Sequence, residues 1–246
     1  KAGLLGRLAA VLSFSNAKLI HTYHGHLLHG YFSPVKTKLL IYIERMLAKR
    51  SFKIVSVGAQ VRDDLLAAHI GKPAQYVVIP PGISLGTLPN SLSARESLEV
   101  PQDVTTITFL GRITGIKRPD RFAKVALKIA TYNPKVMFLI VGSGDLVDSL
   151  KLQLSKIDSQ VKFLGWRSDI ENILSATDIL LLTSDNEGTP VSAIQAGMAG
   201  VPTISTNVGS VAEVIKNGST GVLTSLDPEE IATALNSLIS NPNLRI

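Results

Sequence analysis

The sequence predicts an α/β chain of two doubly wound, Rossmann-like parallel-sheet domains. Three observations predict it. Short apolar strands and amphipathic helices alternate strictly along the 246 residues, and such alternation implies parallel strands joined by right-handed crossovers. Strand after strand runs into a glycine-rich or polar loop, and the loops beyond strand carboxyl ends are where such sheets bind ligands. The alternation lapses once, over residues 85–102 ("LGTLPNSLSARESLEVPQ"), and then starts afresh. That stretch reads as a linker or a short helix, which places one domain at 1–84 and the other at 103–246.

In order, "LLGRLAAVLSF" (4–14) has helical spacing and "KLIHTY" (18–23) is a short strand. "SPVKTKLLIYIERMLAKRSF" (33–52) is a long amphipathic helix, with Ser33 placed to cap it and Pro34 suited to its first turn. "KIVSVG" (53–58) is a strand, "AQVRDDLLAAHI" (59–70) a helix that Gly71 ends, and "YVVIPPGIS" (76–84) a strand entering a turn. The second domain offers strands at 106–111, 136–142, 161–165, 178–184, 202–206 and 221–225. Helices fall between and after them, near 118–132, 145–156, 168–176, 190–199, 209–216 and 228–240. The first domain lacks the opening strands of a complete Rossmann sheet. The chain begins at Lys1 and ends "NPNLRI", so it reads as a piece truncated at both ends.

Hydrophobic residues make up 45% and aromatics 5%, so the core is aliphatic. With no cysteine, disulfide frameworks and thiolate metal sites are excluded and a reducing, cytoplasmic location is favoured. No apolar run approaches the roughly 20 residues of a membrane span, and no secretory leader is visible. Charge is uneven: residues 1–83 hold 11 Lys and Arg against 3 Asp and Glu, and residues 84–246 hold 14 against 16. A basic first domain suits anionic lipid, nucleic acid or phosphate, or is a solvated surface.

The chemistry concentrates in "DILLLTSDNEGTPVSAIQAGMAG" (178–200). Thr189-Pro190 is a helix start, with Thr189 as cap. Val191, Ile194 and Met198 then form the expected buried stripe. First-turn amides and the helix dipole favour an anion at that start. Glu187, just before it, is better suited to accepting hydrogen bonds from sugar hydroxyls than to meeting phosphate. Gln195, in the second turn, could bond a ribose diol. On spacing alone, Glu187 reads equally as a solvated loop acid and Gln195 as a surface helix residue.

The segment "SDNEGTPVSAIQAGMAGVPTISTNVGSVAEVI" resembles the donor-binding region of family 4 retaining glycosyltransferases, whose fold is GT-B. Their motif is a Glu, seven residues, a second Glu, an Ala-rich turn and Gly-Val-Pro. Glu187 matches the first Glu, which faces the donor sugar in that family, and Gly188, Thr189, Pro190 and Val191 line the same donor site. Gln195 stands where the second, ribose-holding Glu is expected, so a neutral acceptor replaces a charged one. The resemblance covers nearly the whole chain. In "FLGRITGIKRPDRF" (109–122), it implies that Gly111, Arg112 and Lys117 hold the donor diphosphate without a metal, while Arg118 and Arg121 fit ordinary surface basicity better.

"LIHTYHGHLLHG" (19–30) carries His21, His24, His26 and His29. A zinc cluster is the weaker reading, since no Cys and no evident carboxylate accompany them. The resemblance assigns a role to His24 alone, orienting the donor sugar and stabilising an oxocarbenium-like transition state. "LIVGSGDLVDSL" (139–150) matches a dinucleotide fingerprint only in part, because Val147 holds the third glycine position. It is more similar to the family's second glycine-rich turn, with Gly142 and Gly144 near the nucleotide. In "FLGWRSDIENIL" (163–174), Trp166 or Arg167 flanks the base, and packing of Trp166 into a core or domain interface is an equal alternative.

The resemblance therefore implies a metal-independent enzyme without cofactor. It would move a hexosyl group from a nucleotide-sugar, with UDP-sugar the expected donor, to a lipid-linked or polysaccharide acceptor with retention of configuration. An anionic membrane surface at the cytoplasmic face is a fitting partner, and nucleic acid is not expected. A nucleotide-sugar-binding module without turnover, a GT-B-fold UDP-sugar epimerase and, more remotely, a dehydrogenase are the alternatives.

Overall fold

The computed structural model describes residues 2–13, 16–25, 28 and 33–245. The chain forms two compact units. One holds the residues up to Gly82 together with Asn186–Thr189, and the other holds Ile83–Asp185 and the residues from Pro190 onward.

The first unit is a three-stranded parallel sheet. Its strands β1 (Leu19–Tyr23), β2 (Ser51–Ser56) and β3 (Tyr76–Val78) lie in the order β1-β2-β3. Helices α1 (Ala2–Leu12), α2 (Pro34–Ala48) and α3 (Ala59–Ala67) connect and cover it. Tyr23, Leu28, Ala48, Ile54, Val61, Leu65 and Ile70 form its core. The one acid of α2, Glu44, is buried, where it accepts from Arg7 of α1 at 2.6 Å and from the Tyr23 hydroxyl of β1. A buried cation, carboxylate and phenol therefore join three elements, with Arg7 and Tyr23 sharing the Glu44 Oε2 oxygen.

Three local expectations change here. β3 stops at Val78, not at 84, because Pro80 and Pro81 have no amide to extend the ladder. α3 stops at Ala67, before Ile70, because the chain turns left-handed at His69 (φ 55°) and drops Ile70 into the core. Ser33 precedes α2 in extended conformation, but its side chain caps no amide.

The second unit is a six-stranded parallel sheet. β4 (Thr105–Leu110), β5 (Val136–Val141), β6 (Val161–Gly165), β7 (Ile179–Leu182), β8 (Thr203–Thr206) and β9 (Gly221–Thr224) lie in the order β6-β5-β4-β7-β8-β9. Its helices are α4 (Ser91–Ser97), α5 (Pro119–Tyr132), α6 (Val147–Leu154), α7 (Ile170–Ser175), α8 (Val191–Met198), α9 (Val211–Val214) and α10 (Pro228–Ser240). Alternate strand residues serve opposite faces. Ile107, Phe109, Phe138, Ile140, Ile179 and Leu181 pack under α5 and α10. Leu139 and Val141 face α4 and α7, while Leu180 and Leu182 face α8. Both faces being covered explains why the strands read as unbroken apolar runs.

Part of the stretch 85–102 belongs to this fold. Asn90 caps α4 by accepting from the Leu92 amide, and Ala94, Leu98 and Val100 are buried against β5 and α7. Arg95, also buried, pairs with Asp178 at 2.7 Å, and the same carboxylate accepts from the Thr106 amide. Among the described residues, no helix is long and apolar enough to cross a membrane.

Candidate functional site

The strand order of the second unit locates a crevice before any side chain is considered. From β4 the chain builds outward to β5 and β6, then returns to β7 and builds the other way. The reversal lies between β4 and β7. In doubly wound sheets, ligands bind beyond the strand carboxyl ends at such a switch point. The loops there run from Gly111 to Arg118 and from Thr183 to Pro190, the two stretches the sequence singles out.

These two loops are tied together. The Thr183 hydroxyl donates to the carbonyls of Lys117 and Arg118 at 3.1 Å, and the Asp185 amide donates to the Ile116 carbonyl at 2.9 Å. The Asp185 carboxylate accepts from Arg118 at 3.0 Å and from Arg121 at 2.7 Å. Arg121 also donates to the Thr183 carbonyl at 2.6 Å. Arg118 takes a left-handed conformation (φ 50°, ψ 58°), uncommon for a residue with a side chain. Its guanidinium bridges Asp120 and Asp185, and it holds the Asp120 carboxyl below the usual range. Arg118 and Arg121 are thus structural cations. Asp185, which no periodicity or motif marks, is the acid that holds them.

Arg112 is exposed on the β4 loop, and Lys117 is half-buried in the single turn before α5. Beside them runs the loop after β5. A side chain on Gly142 would place its Cβ 1.9 Å from the Gly111 carbonyl oxygen, and one on Gly144 would come within 2.1 Å of the Ile113 oxygen. Backbone bonds from Ile113 to Ser143 and from Leu146 to Ile113 close the same seam. These two glycines therefore have a packing reason: one loop can lie on the other only without side chains. Beyond β6, Trp166 is 74% exposed, so it is not a core residue. Arg167 pairs with Asp169 and depresses that carboxyl.

The segment Asn186–Thr189 groups with the first unit. There Gly188 lies against the bend after β1: a Cβ on it would meet the His24 carbonyl oxygen at 2.5 Å and the Gly25 Cα at 3.2 Å. The Thr189 hydroxyl donates to the Val57 carbonyl at 2.7 Å. It does not cap α8, contrary to expectation, because that hydroxyl is taken by Val57 and Pro190 occupies the cap position. Glu187 is only 8% exposed, which overturns its reading as a solvated loop acid. His24 is exposed at the end of β1. The structure thus gathers His24, Glu187, Gly188 and Thr189 in the first unit. Gly111, Arg112, Lys117, Gly142, Gly144, Trp166, Arg167, Pro190, Val191 and Gln195 belong to the second.

α8 corrects a further expectation. Its buried face is Ala193 and Ala196, while Val191 and Met198 are nearly half exposed. Small residues let the helix pack closely on β8, so the larger ones turn outward. Gln195, one turn after Val191, is half-buried. Among the described residues, no three His, Cys, Asp or Glu gather as a metal would require. Of the histidine group, His26 and His29 lie outside the described residues.

Comparison with known proteins agrees with this geometry. Residues 91–246 match the family described as Glycosyl transferases group 1, and residues 1–86 match Glycosyltransferase Family 4. A UDP-Gal:alpha-D-GlcNAc-diphosphoundecaprenol alpha-1,3-galactosyltransferase of Escherichia coli is 29% identical over 97% of this chain and 63% of its own. A D-inositol 3-phosphate glycosyltransferase of Rhodococcus jostii is also 29% identical, over 81% of this chain and 47% of its own. The chain therefore spans about half to two thirds of these relatives' lengths. Anabaena Alr3699/HepE, solved in complex with UDP and glucose, superposes with a TM-score of 0.86 at 22% identity, covering 99% of this chain and 67% of that one. A sucrose-phosphate synthase of Thermosynechococcus elongatus gives 0.84 at 21% identity, covering 99% and 63%. At these identities the structures speak for the fold, and the fold is GT-B, with two Rossmann-like units of which the first has a three-stranded sheet. The chain belongs to the group 1 glycosyl transferases.

Proposed function

We propose that the protein transfers a hexosyl group from a UDP-sugar to a lipid-linked or polysaccharide acceptor with retention of configuration. The observation that carries this reading is the β4/β7 switch point of the second unit's sheet, with Arg112 and Lys117 on the loop after β4. The relatives' printed substrates support a nucleotide-sugar donor and a lipid-linked acceptor.

In the reaction, the donor C1–O bond breaks and the acceptor hydroxyl oxygen bonds to C1. The hydroxyl proton leaves with the nucleoside diphosphate. Arg112 and Lys117 neutralise the charge that develops on the diphosphate, a stabilisation greatest in the transition state. Glu187 accepts from the sugar hydroxyls. His24 orients the sugar and supports the oxocarbenium-like carbon. Gly142 and Gly144 keep the β5 loop flat against the β4 loop, and Trp166 or Arg167 flanks the base. Gly111, Pro190 and Val191 serve the donor from the second unit, and Gly188 from the first, where Thr189 fixes its loop through Val57. Gln195 takes the ribose with a neutral oxygen.

The test is a calorimetric titration with UDP, GDP and ADP in the absence of metal. UDP binding is expected, weakened about 100-fold in Arg112→Ala/Lys117→Ala, since each charge-assisted contact contributes about 1.5–3 kcal/mol. Gln195→Glu is expected to tighten binding about fivefold. Preference for another nucleotide would overturn the UDP assignment. Undiminished binding in the double variant would move the diphosphate elsewhere.

A further inference from the structure

Arg118 stands where a glycine would fit more easily. Its backbone is left-handed (φ 50°, ψ 58°), a conformation that a Cβ disfavours and glycine adopts freely. The side chain supplies the reason for an arginine. Its Nε and Nη2 donate to the two oxygens of Asp120, each at 2.8 Å, and its Nη1 donates to Asp185 at 3.0 and 3.1 Å. One planar fork thus spans two carboxylates, one in the first turn of α5 and one on the loop after β7. A glycine leaves those acids apart, and a lysine ammonium cannot match both.

The residue just ahead of the fork is Lys117. Its amide donates to the Thr114 carbonyl at 3.0 Å, and its own carbonyl accepts from the Thr183 hydroxyl, as does that of Arg118. The Ile116 carbonyl accepts from the Asp185 amide. Three successive carbonyls are therefore held by the loop after β7, while the Lys117 side chain lies over the end of β4: its Cε is 3.9 Å from where a Cβ on Gly111 would stand. A lysine carries its charge on a flexible stem, so a fixed backbone is what aims it.

We infer that Arg118 is a positioning residue for Lys117. Its fork is engaged by Asp120 and Asp185, and it acts by holding the left-handed turn that aims the Lys117 side chain at the end of β4. The inference rests on the reading that Lys117 meets the donor diphosphate, and it adds a residue to that site.

The test is a double-variant cycle on UDP affinity, read by calorimetry. Arg118→Gly removes the fork and leaves the left-handed turn unstrained. It is expected to weaken UDP binding about fivefold, and Lys117→Ala about tenfold. Combined, they are expected to weaken it no more than Lys117→Ala alone, because a residue that acts through Lys117 then has nothing to act on. Arg118→Lys, which keeps the charge and loses the fork, is expected to bind as weakly as Arg118→Gly. Uridine, which lacks the diphosphate, is expected to bind parent and variants alike, a readout that a collapsed loop would not spare. Additive losses in the combined variant would place Arg118 on the diphosphate itself and overturn the inference. Parent-like affinity in Arg118→Gly or Arg118→Lys overturns it too, and so does a loss of uridine binding along with UDP, which confines Arg118 to scaffolding. If Lys117→Ala binds UDP like the parent, the diphosphate reading falls as well. A loss in Lys117→Ala beside parent-like Arg118→Gly overturns this inference alone.

Discussion

The two units treat charge in opposite ways. In the second, cations and acids are interleaved and mostly paired into structure: Arg95 with Asp178, Arg118 and Arg121 with Asp185, Arg167 with Asp169. Its 14 basic residues nearly balance 15 acidic ones. In the first, 11 basic residues meet 4 acids, and one of its two buried acids, Glu44, serves Arg7. The second unit neutralises itself, and its pairs tie the loops after β4 and β7 together. The first leaves most of its cations at the surface, some of them held by carbonyls of the same unit, as Arg45 is by Ala68 and Lys53 by Ala74. Each half of that contrast can be broken experimentally.

The largest effect is expected where the second unit's loops touch. Gly142→Ala sets a methyl 1.9 Å from a backbone oxygen, on a residue already at φ 139°. Neither loop can yield without losing its own bonds, so a loss of about 3 kcal/mol or more is expected. Urea unfolding read by pulse proteolysis, with peptides assigned to each unit, would show the loss confined to the second. A variant as stable as the parent would mean that the two loops do not lie in contact.

Next comes the acid that binds those loops. Asp185→Asn keeps the shape but leaves Arg121, 5% exposed, facing a neutral amide. Because Asp185 itself is one third exposed, the loss is discounted for solvent screening to about 2 kcal/mol. UDP affinity is expected to fall with it, through misplacement of Lys117. A variant that loses stability at unchanged affinity would confine Asp185 to scaffolding.

These networks also show what the sequence conceals. Alternation gave every strand of both units and every α-helix but α4, because burial on both sheet faces writes a period the eye can read. The glycines at 142 and 144 stand out in the sequence, and the packing of one loop on another requires that residue type at those places. The β3 boundary was misread because Pro80 and Pro81 were counted as strand. The face of α8 was misread because large residues were given the core, where Ala193 and Ala196 sit. Asp185 and Arg95 were invisible, since their partners lie 64 and 83 residues away, and no local pattern records a pairing at that range. The stretch 85–102 loses periodicity because α4 is short and capped, yet its buried face is continuous with the sheet.

The smallest effect expected is a difference in acid response. His21, on β1, has its pKa held below 6.5 by burial and then by the Arg7 cation. The folded first unit thus favours neutral imidazole. Above pH 6.5 both folded and unfolded chains carry it neutral and stability is complete; below that, the unfolded chain protonates first and stability falls toward the folded pKa. In the second unit the shifted groups are carboxyls. Asp120 and Asp169 are lowered from 3.8 by Arg118 and Arg167. Their contribution is full above that value and is lost only as pH drops through their folded pKa values. Between pH 7 and 5 the first unit should therefore soften while the second holds, which pulse proteolysis across that range reads directly. His21→Asn should flatten the response of the first unit. If both units soften in step, or the variant responds like the parent, the sensitivity belongs to some group other than His21.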